Sequence, residues 1–172
     1  MRAILLAAAL VLSTHQAHGR LGETAGELEA RYGQSIKTFE SLPAGEESLA
    51  YKYNDFSIKV TFVDAKSAQE IYIHQDRKTP LNEKEIQSFL DLNSMGKRWE
   101  KSSKYWFAKI EADEIGWRLG GPDPKDWVAL AVYFPKPLGD VAPWLSVETI
   151  EYARKHRPIS SNQSMKPRPQ TK

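Results

Sequence analysis

Side chains able to do covalent or acid–base chemistry are few in this sequence, and they are poorly grouped. The 172 residues contain no cysteine, which removes thiol nucleophiles, thiolate zinc, iron–sulfur ligation and disulfides. Of four histidines, His15 and His18 fall in a leader-like segment, leaving His74 and His156. A Ser–His–Asp relay would need His74 as its base, with Glu70 or Asp76 to orient it. Glu70 lies four residues back in a strand-like stretch, about 13 Å along an extended chain. No Gly-x-Ser-x-Gly elbow is present, and Ser94 sits in Asn-Ser-Met-Gly, a helix stop. Asp113, Glu114, Asp123 and Asp126 fall near turns at a spacing that does not fit a calcium loop. Gly120-Gly121-Pro122 lacks the Lys and Ser/Thr of a phosphate cradle. We therefore expect no catalytic residue, no metal site and no cofactor.

Aromatics are in excess. Trp99, Tyr105, Trp106, Trp117, Trp127, Tyr133 and Trp144 cluster in the second half. Neighbours on a strand face opposite ways, so Tyr105 and Trp106 cannot both enter one core. Most of these rings are expected inside; Trp106, Trp117 and Tyr105, with Tyr72, are the candidate binding residues of an uncovered sheet face.

Charge divides the chain. Residues 20–151 carry 17 basic and 22 acidic side chains, whereas residues 152–172 carry six basic and no acidic ones. The last residues, 158–172, hold too little apolar surface to offset their ordering entropy and are expected to be disordered. Arg154, Lys155, Arg157, Lys166 and Arg168 make this end a candidate polyanion contact. The plainer alternative is a solubilising tail, favoured because no aromatic is interleaved past Tyr152.

Residues 1–19 read as a secretory signal: Arg2, the apolar run Ala3–Leu12, then small residues at Ala17 and Gly19. The run is too short to span a bilayer, and without cysteine there is no lipid attachment point. The expected product is a secreted or periplasmic protein with no membrane span after signal removal. Mass spectrometry of the exported protein should then find Arg20 at its N-terminus.

The elements that must position these residues alternate. Thr24 and Glu27 form a capping box for a helix bearing Leu28 and Tyr32, and Asn82 with Glu85 forms another before Ile86, Phe89 and Leu90. Strand patterns occupy 36–41, 48–53 and Phe56–Val63, with Ile71 and Ile73 on one face of the next and Glu70, Tyr72 and His74 on the other. Further strands are expected at 104–111, 114–119 and 127–134, the last apolar on both faces and so central. Ser146 is expected to cap a third helix over 147–156. This order predicts an α+β fold: an antiparallel sheet with two or three short helices on one face of a domain over 20–157. Sub-units 21–79 and 80–135 are open to reading as a degenerate tandem repeat or as unrelated halves.

The run Thr24-x-x-Glu27-Leu28-x-x-x-Tyr32-Gly33, with the Phe62-Val-Asp-Ala-Lys66 hairpin, resembles the opening of a small envelope module. That module occurs in the small lipoprotein of the outer-membrane β-barrel assembly machinery and, doubled, in β-lactamase-inhibitor-like proteins. The segment Phe89–Trp99 also looks like a stretch in secreted bacterial proteins. The resemblance spans roughly residues 21–76; the lipoprotein's anchoring cysteine has no counterpart here. It implies helices on one face of an antiparallel sheet, no catalysis, and an open face that binds other proteins. The expected function is thus a non-enzymatic protein-binding module with an envelope or extracellular partner. The alternatives are a carboxylate-dependent hydrolase and a polyanion-binding protein acting through the tail.

Overall fold

The computed structural model describes residues 21–39, 43, 45–102, 114–137 and 141–156. The leader 1–19, the tail 158–172 and the expected strand 104–111 lie outside the described residues, as do Tyr105, Trp106, Asp113, Arg157, Lys166 and Arg168.

Helix α1 (Ala25–Tyr32) is followed by strands β1 (Lys37–Phe39), β2 (Glu46–Tyr53), β3 (Phe56–Val63) and β4 (Lys66–His74). Helix α2 (Glu83–Leu92) then opens the same sequence again: β5 (Trp99–Ser102), β6 (Ile115–Gly120), β7 (Trp127–Phe134) and β8 (Trp144–Thr149). Helix α3 (Ile150–His156) is the last described element. The eight strands among the described residues form one antiparallel sheet in the order β1-β2-β3-β4-β8-β7-β6-β5. The fold is α+β, as expected. Each half is a helix plus four strands, and the halves meet where β4 pairs with β8.

Both capping boxes form. Glu27 N–H donates to Thr24 Oγ1 while Glu27 accepts from Thr24 N–H, and Asn82 and Glu85 do the same for α2. An eight-residue helix is marginal alone, so burial holds α1: Leu28 and Tyr32, four apart, face the sheet. The Tyr32 ring meets Tyr51 at 5.7 Å and Tyr53 at 5.1 Å. Helix α2 places Phe89 on Tyr72 at 4.0 Å and edge-on to Phe56 at 5.0 Å. Both helices thus cover the face that carries Tyr51, Ile58, Val60, Leu145, Val147 and Ala131.

The helix expected over 147–156 and the end of the second sub-unit are corrected. Residues 144–149 are a strand, not the start of a helix, and Ser146 is a buried strand residue. The actual helix begins at Ile150, with Tyr152 N–H donating to Thr149 Oγ1. The second half therefore runs to Thr149 rather than stopping at 135. Trp99–Ser102 is a strand that sequence patterning passed over. Of the two or three helices expected on one face, α1 and α2 share it. Leu130, which alternates with the core residues Ala129 and Ala131, packs with Ile150 and Ala153, so α3 lies on the opposite side of the sheet.

β7 follows a tight bulge where the register shifts between Leu119 and Gly120. Gly120 has φ +130°, and a Cβ there would sit 2.3 Å from the Asp126 carbonyl oxygen. Gly26, in contrast, lies in α1 with no atom within 4 Å of its missing Cβ. Urea unfolding should therefore show Gly120→Ala losing on the order of 2 kcal/mol or more. Gly26→Ala should gain about 0.5–1 kcal/mol. Equal shifts for the two variants would contradict this packing.

Candidate functional site

The sequence candidates for chemistry are held in structural roles. His74 ends β4, its ring 4.7 Å from Phe56 and its Nε2 3.2 Å from Glu85 Oε2. The same Glu85 oxygen accepts from the Asn82 N–H, so His74 ties the sheet to the first turn of α2. Asp76 does not orient the histidine. It accepts from the N–H groups of Lys78 and Thr79 and from the Thr79 hydroxyl, which hold its carboxyl down to about 2. Ser94, in the loop leaving α2, donates its N–H to the Asp91 carbonyl at 3.2 Å. Asp123 binds Lys125 through its backbone N–H and its ammonium group. Among the described residues, no group of three or more His, Asp or Glu is placed to hold a metal ion.

Tyr72 is fully buried. The register decides this: Ile58 faces Tyr72 and Val60 faces Glu70 across β3 and β4, so Glu70, Tyr72 and His74 share the core side. The expectation of Tyr72 as an exposed binding residue is corrected. Its hydroxyl donates to Glu70, and Asn93 Nδ2 donates back to it at 3.0 Å. Asn93 also donates to the Phe89 carbonyl at 2.9 Å and accepts from the Leu21 N–H at 3.2 Å. One buried amide thus links the described chain start, the end of α2 and the central strand. Trp99 Nε1 donates to the Leu90 carbonyl at 2.6 Å. The conspicuous Phe89–Trp99 run is therefore a structural fastening. Beside it, Asp91, Ser94, Lys97 and Arg98 line an open polar depression of ≈ 600 Å³ that contains no histidine. Tyr51 lies under α1, where burial, then the nearby Glu29, Glu47 and Glu70 carboxylates, push its phenol to about 12.

Trp117 sits on the same covered side, half-buried and packed against the core. Of the four aromatic candidates, Tyr72 and Trp117 are turned toward the helices, and Tyr105 and Trp106 fall outside the described residues.

The other sheet face has two unlike ends. At one end α3 crosses from β8 to the start of β2. Lys155 Nζ lies 2.6 Å and His156 Nε2 2.9 Å from Glu46 Oε1, whose side chain is 1% exposed. Beneath lie buried polar groups: the Ser48 and Thr61 hydroxyls 2.8 Å apart, and Gln69 donating to Ser146 and Glu148. Of the basic candidates, Lys155 is committed to Glu46, and Arg154 is exposed on α3.

Among the described residues, the far end carries no helix. The register sets Lys37, Ala50, Lys59 and Ile71 in one row across β1 to β4. The next row along the strands brings Lys52, Ser57 and Ile73 to the same face. Phe134 pairs with Trp144 there, their rings stacked at 4.2 Å. Ile71, Ile73, Phe134 and Trp144 are all half-buried. Trp144 was legible as an aromatic, but its face required β8 to be recognised as a strand.

No protein-family model matches the chain, and no curated protein matches it. Among solved structures, a cysteine-rich secretory protein from Staphylococcus aureus subsp. aureus Mu50 is similar at 11% identity and a TM-score of 0.45, over 81% of this chain and 48% of that one. The chain spans about half the length of that protein.

Burial pushes the Glu46 carboxyl up, but hydrogen bonds and charge from Lys155 and His156 outweigh it, holding it below the ordinary carboxylate value. A depressed folded-state pKa gives stability that is present above the unfolded value and lost as pH falls through the folded one. Hydrogen exchange in residues 150–156 should therefore accelerate as pH drops below the mid-4s, after correction for intrinsic exchange. At neutral pH, Glu46→Gln should already exchange a few-fold to about tenfold faster there and respond less to acid. An unchanged exchange profile would show that Glu46 does not hold α3.

Proposed function

We propose that this protein is a non-enzymatic binding module, secreted or periplasmic, that holds another envelope or extracellular protein against the helix-free end of its sheet. The supporting observation is the half-buried strip of Ile71, Ile73, Phe134 and Trp144, placed on one face by the β4–β8 and β7–β8 registers and not covered by α1, α2 or α3. Aromatic and aliphatic side chains on a rigid sheet lose little entropy on contact, which suits an interface anchor. The non-enzymatic part of the reading rests on where the reactive groups are committed. His74 is held by Glu85 and Phe56, and Asp76 by its own turn.

The test is site-specific photo-crosslinking in the native envelope or culture fluid, with the crosslinker at Ile73 and, as a control, at the exposed Gln87 of α2. A discrete protein adduct should form from position 73 and be absent from position 87. Trp144→Ala should reduce that adduct while circular dichroism stays unchanged. Adducts that do not distinguish the two positions would remove the sheet face from consideration.

A further inference from the structure

The helix-free end has a charge pattern opposite to that of the domain around it. Residues 20–151 carry five more acidic than basic side chains, yet Lys37, Lys52 and Lys59 gather on this one patch. Lys37 and Lys59 flank Ala50 in the row across β1, β2 and β3. Alanine leaves open floor between them. Both reach over a single ring: Lys37 Nζ lies 4.7 Å and Lys59 Nζ 5.0 Å from the centroid of Phe39. The two ammonium groups are therefore no more than about 10 Å apart, drawn together by ring quadrupole attraction against their own repulsion. Among the described residues, none of these three lysines has a carboxylate within ion-pair distance. Elsewhere on the chain, Arg31, Arg118, Lys125 and Lys155 each have one.

We propose that this patch docks an acidic segment of a partner protein, its carboxylates bridging Lys37, Lys59 and Lys52 while its apolar side chains lie along Ile71 and Ile73. The inference rests on the binding-module reading and adds the chemistry of the partner. Charge complementarity identifies the acidic half of the segment, because an anion between Lys37 and Lys59 relieves the repulsion that the free protein retains. The adjoining isoleucines identify the rest. A uniformly charged polymer would leave them in water, whereas a polypeptide with alternating acidic and apolar residues covers both. Lysine suits this use: it supplies point charges on flexible stems rather than the planar fork that selects phosphate.

The test selects a displayed random-peptide library against the chain lacking residues 1–19, then measures the best peptide by calorimetry at low and high salt. Selected peptides should be enriched in Asp and Glu interspersed with apolar residues, and should compete with the crosslink at Ile73. Lys37→Glu and Lys59→Glu should each weaken binding on the order of tenfold at low ionic strength, less at high salt. The milder Lys37→Gln and Lys59→Gln serve if a reversal disturbs the fold, and Lys84→Glu on α2 should change nothing. Peptides that compete at Ile73 without acidic enrichment, or that ignore the lysine variants, overturn this inference and leave the binding face standing. Peptides that never compete there overturn both. Dextran sulfate binding as tightly, with the same lysine dependence and indifference to Ile73→Ser, would replace the acidic segment by a simple polyanion.

Discussion

The ladder between β4 and β8 is the constraint on which the remaining structure depends. It has four residue pairs, from Gln69–Glu148 to Tyr72–Leu145, and it joins two four-stranded halves into one sheet. Side chains alternate across a strand, so a slip of one residue here would put Tyr72 and Leu145 on opposite faces and turn one half's core residues outward. Every row described on either face is carried across the molecule through this seam. Among the described residues, the outer strands β1 and β5 carry Lys37, Glu100 and Lys101. Charged side chains on an edge strand discourage pairing with a further chain.

A short seam between two halves needs reinforcement, and buried polar contacts supply it. Glu70 and Tyr72 belong to β4, while Asn93 belongs to the loop leaving α2; their hydrogen bonds join the two halves from the core side. Gln69, reaching Ser146 and Glu148, does the same from the other side. Such groups are costly to bury unpaired, and alternative registers would leave them so. Apolar packing by Leu145, Val147 and Ile58 tolerates small shifts in position. Hydrogen bonds with narrow distance limits do not, which gives the seam its single register.

This also explains how much was legible in the sequence. The capping boxes at Thr24 and Asn82 are local chemistry, and both helices begin where those residues place them. The alternation in Phe56–Val63 likewise survives intact, with Ile58, Val60 and Phe62 in the core. β4 was harder. Its period of two separates Ile71 and Ile73 from Glu70, Tyr72 and His74, but periodicity does not say which set faces inward. The aliphatic pair is turned outward because Tyr72 meets Phe89 and Asn93, partners brought by α2 from further along the chain. β8 was missed because Ser146 followed by Val-Glu-Thr-Ile-Glu resembles a capped helix start. Its alternation of Leu145 and Val147 against Ser146 and Glu148 was present, but only pairing with two strands on either side gives it meaning.

The same reversal in β4 determines where a binding surface can lie. With Tyr72 inside and Trp117 packed under the helices, the aromatics that suggested an open face are largely consumed by the core. The opposite face receives instead the two isoleucines, the Phe134–Trp144 stack and three lysines. α3 could have covered all of it, but Ile150 and Ala153 seat it over Leu130 and Trp127, and Glu46 fixes its far end. The seven described residues of α3 extend about 10 Å at 1.5 Å per residue, and they are seated at the Leu130 and Trp127 end of the strands beneath. Among the described residues, one end of the face is thus sealed over buried hydroxyls and carboxyls, while the other is apolar, positively charged and uncovered. The partition follows from where α3 is seated and where Glu46 anchors it, and on the proposed binding reading it makes the uncovered end the surface whose chemistry a partner must match.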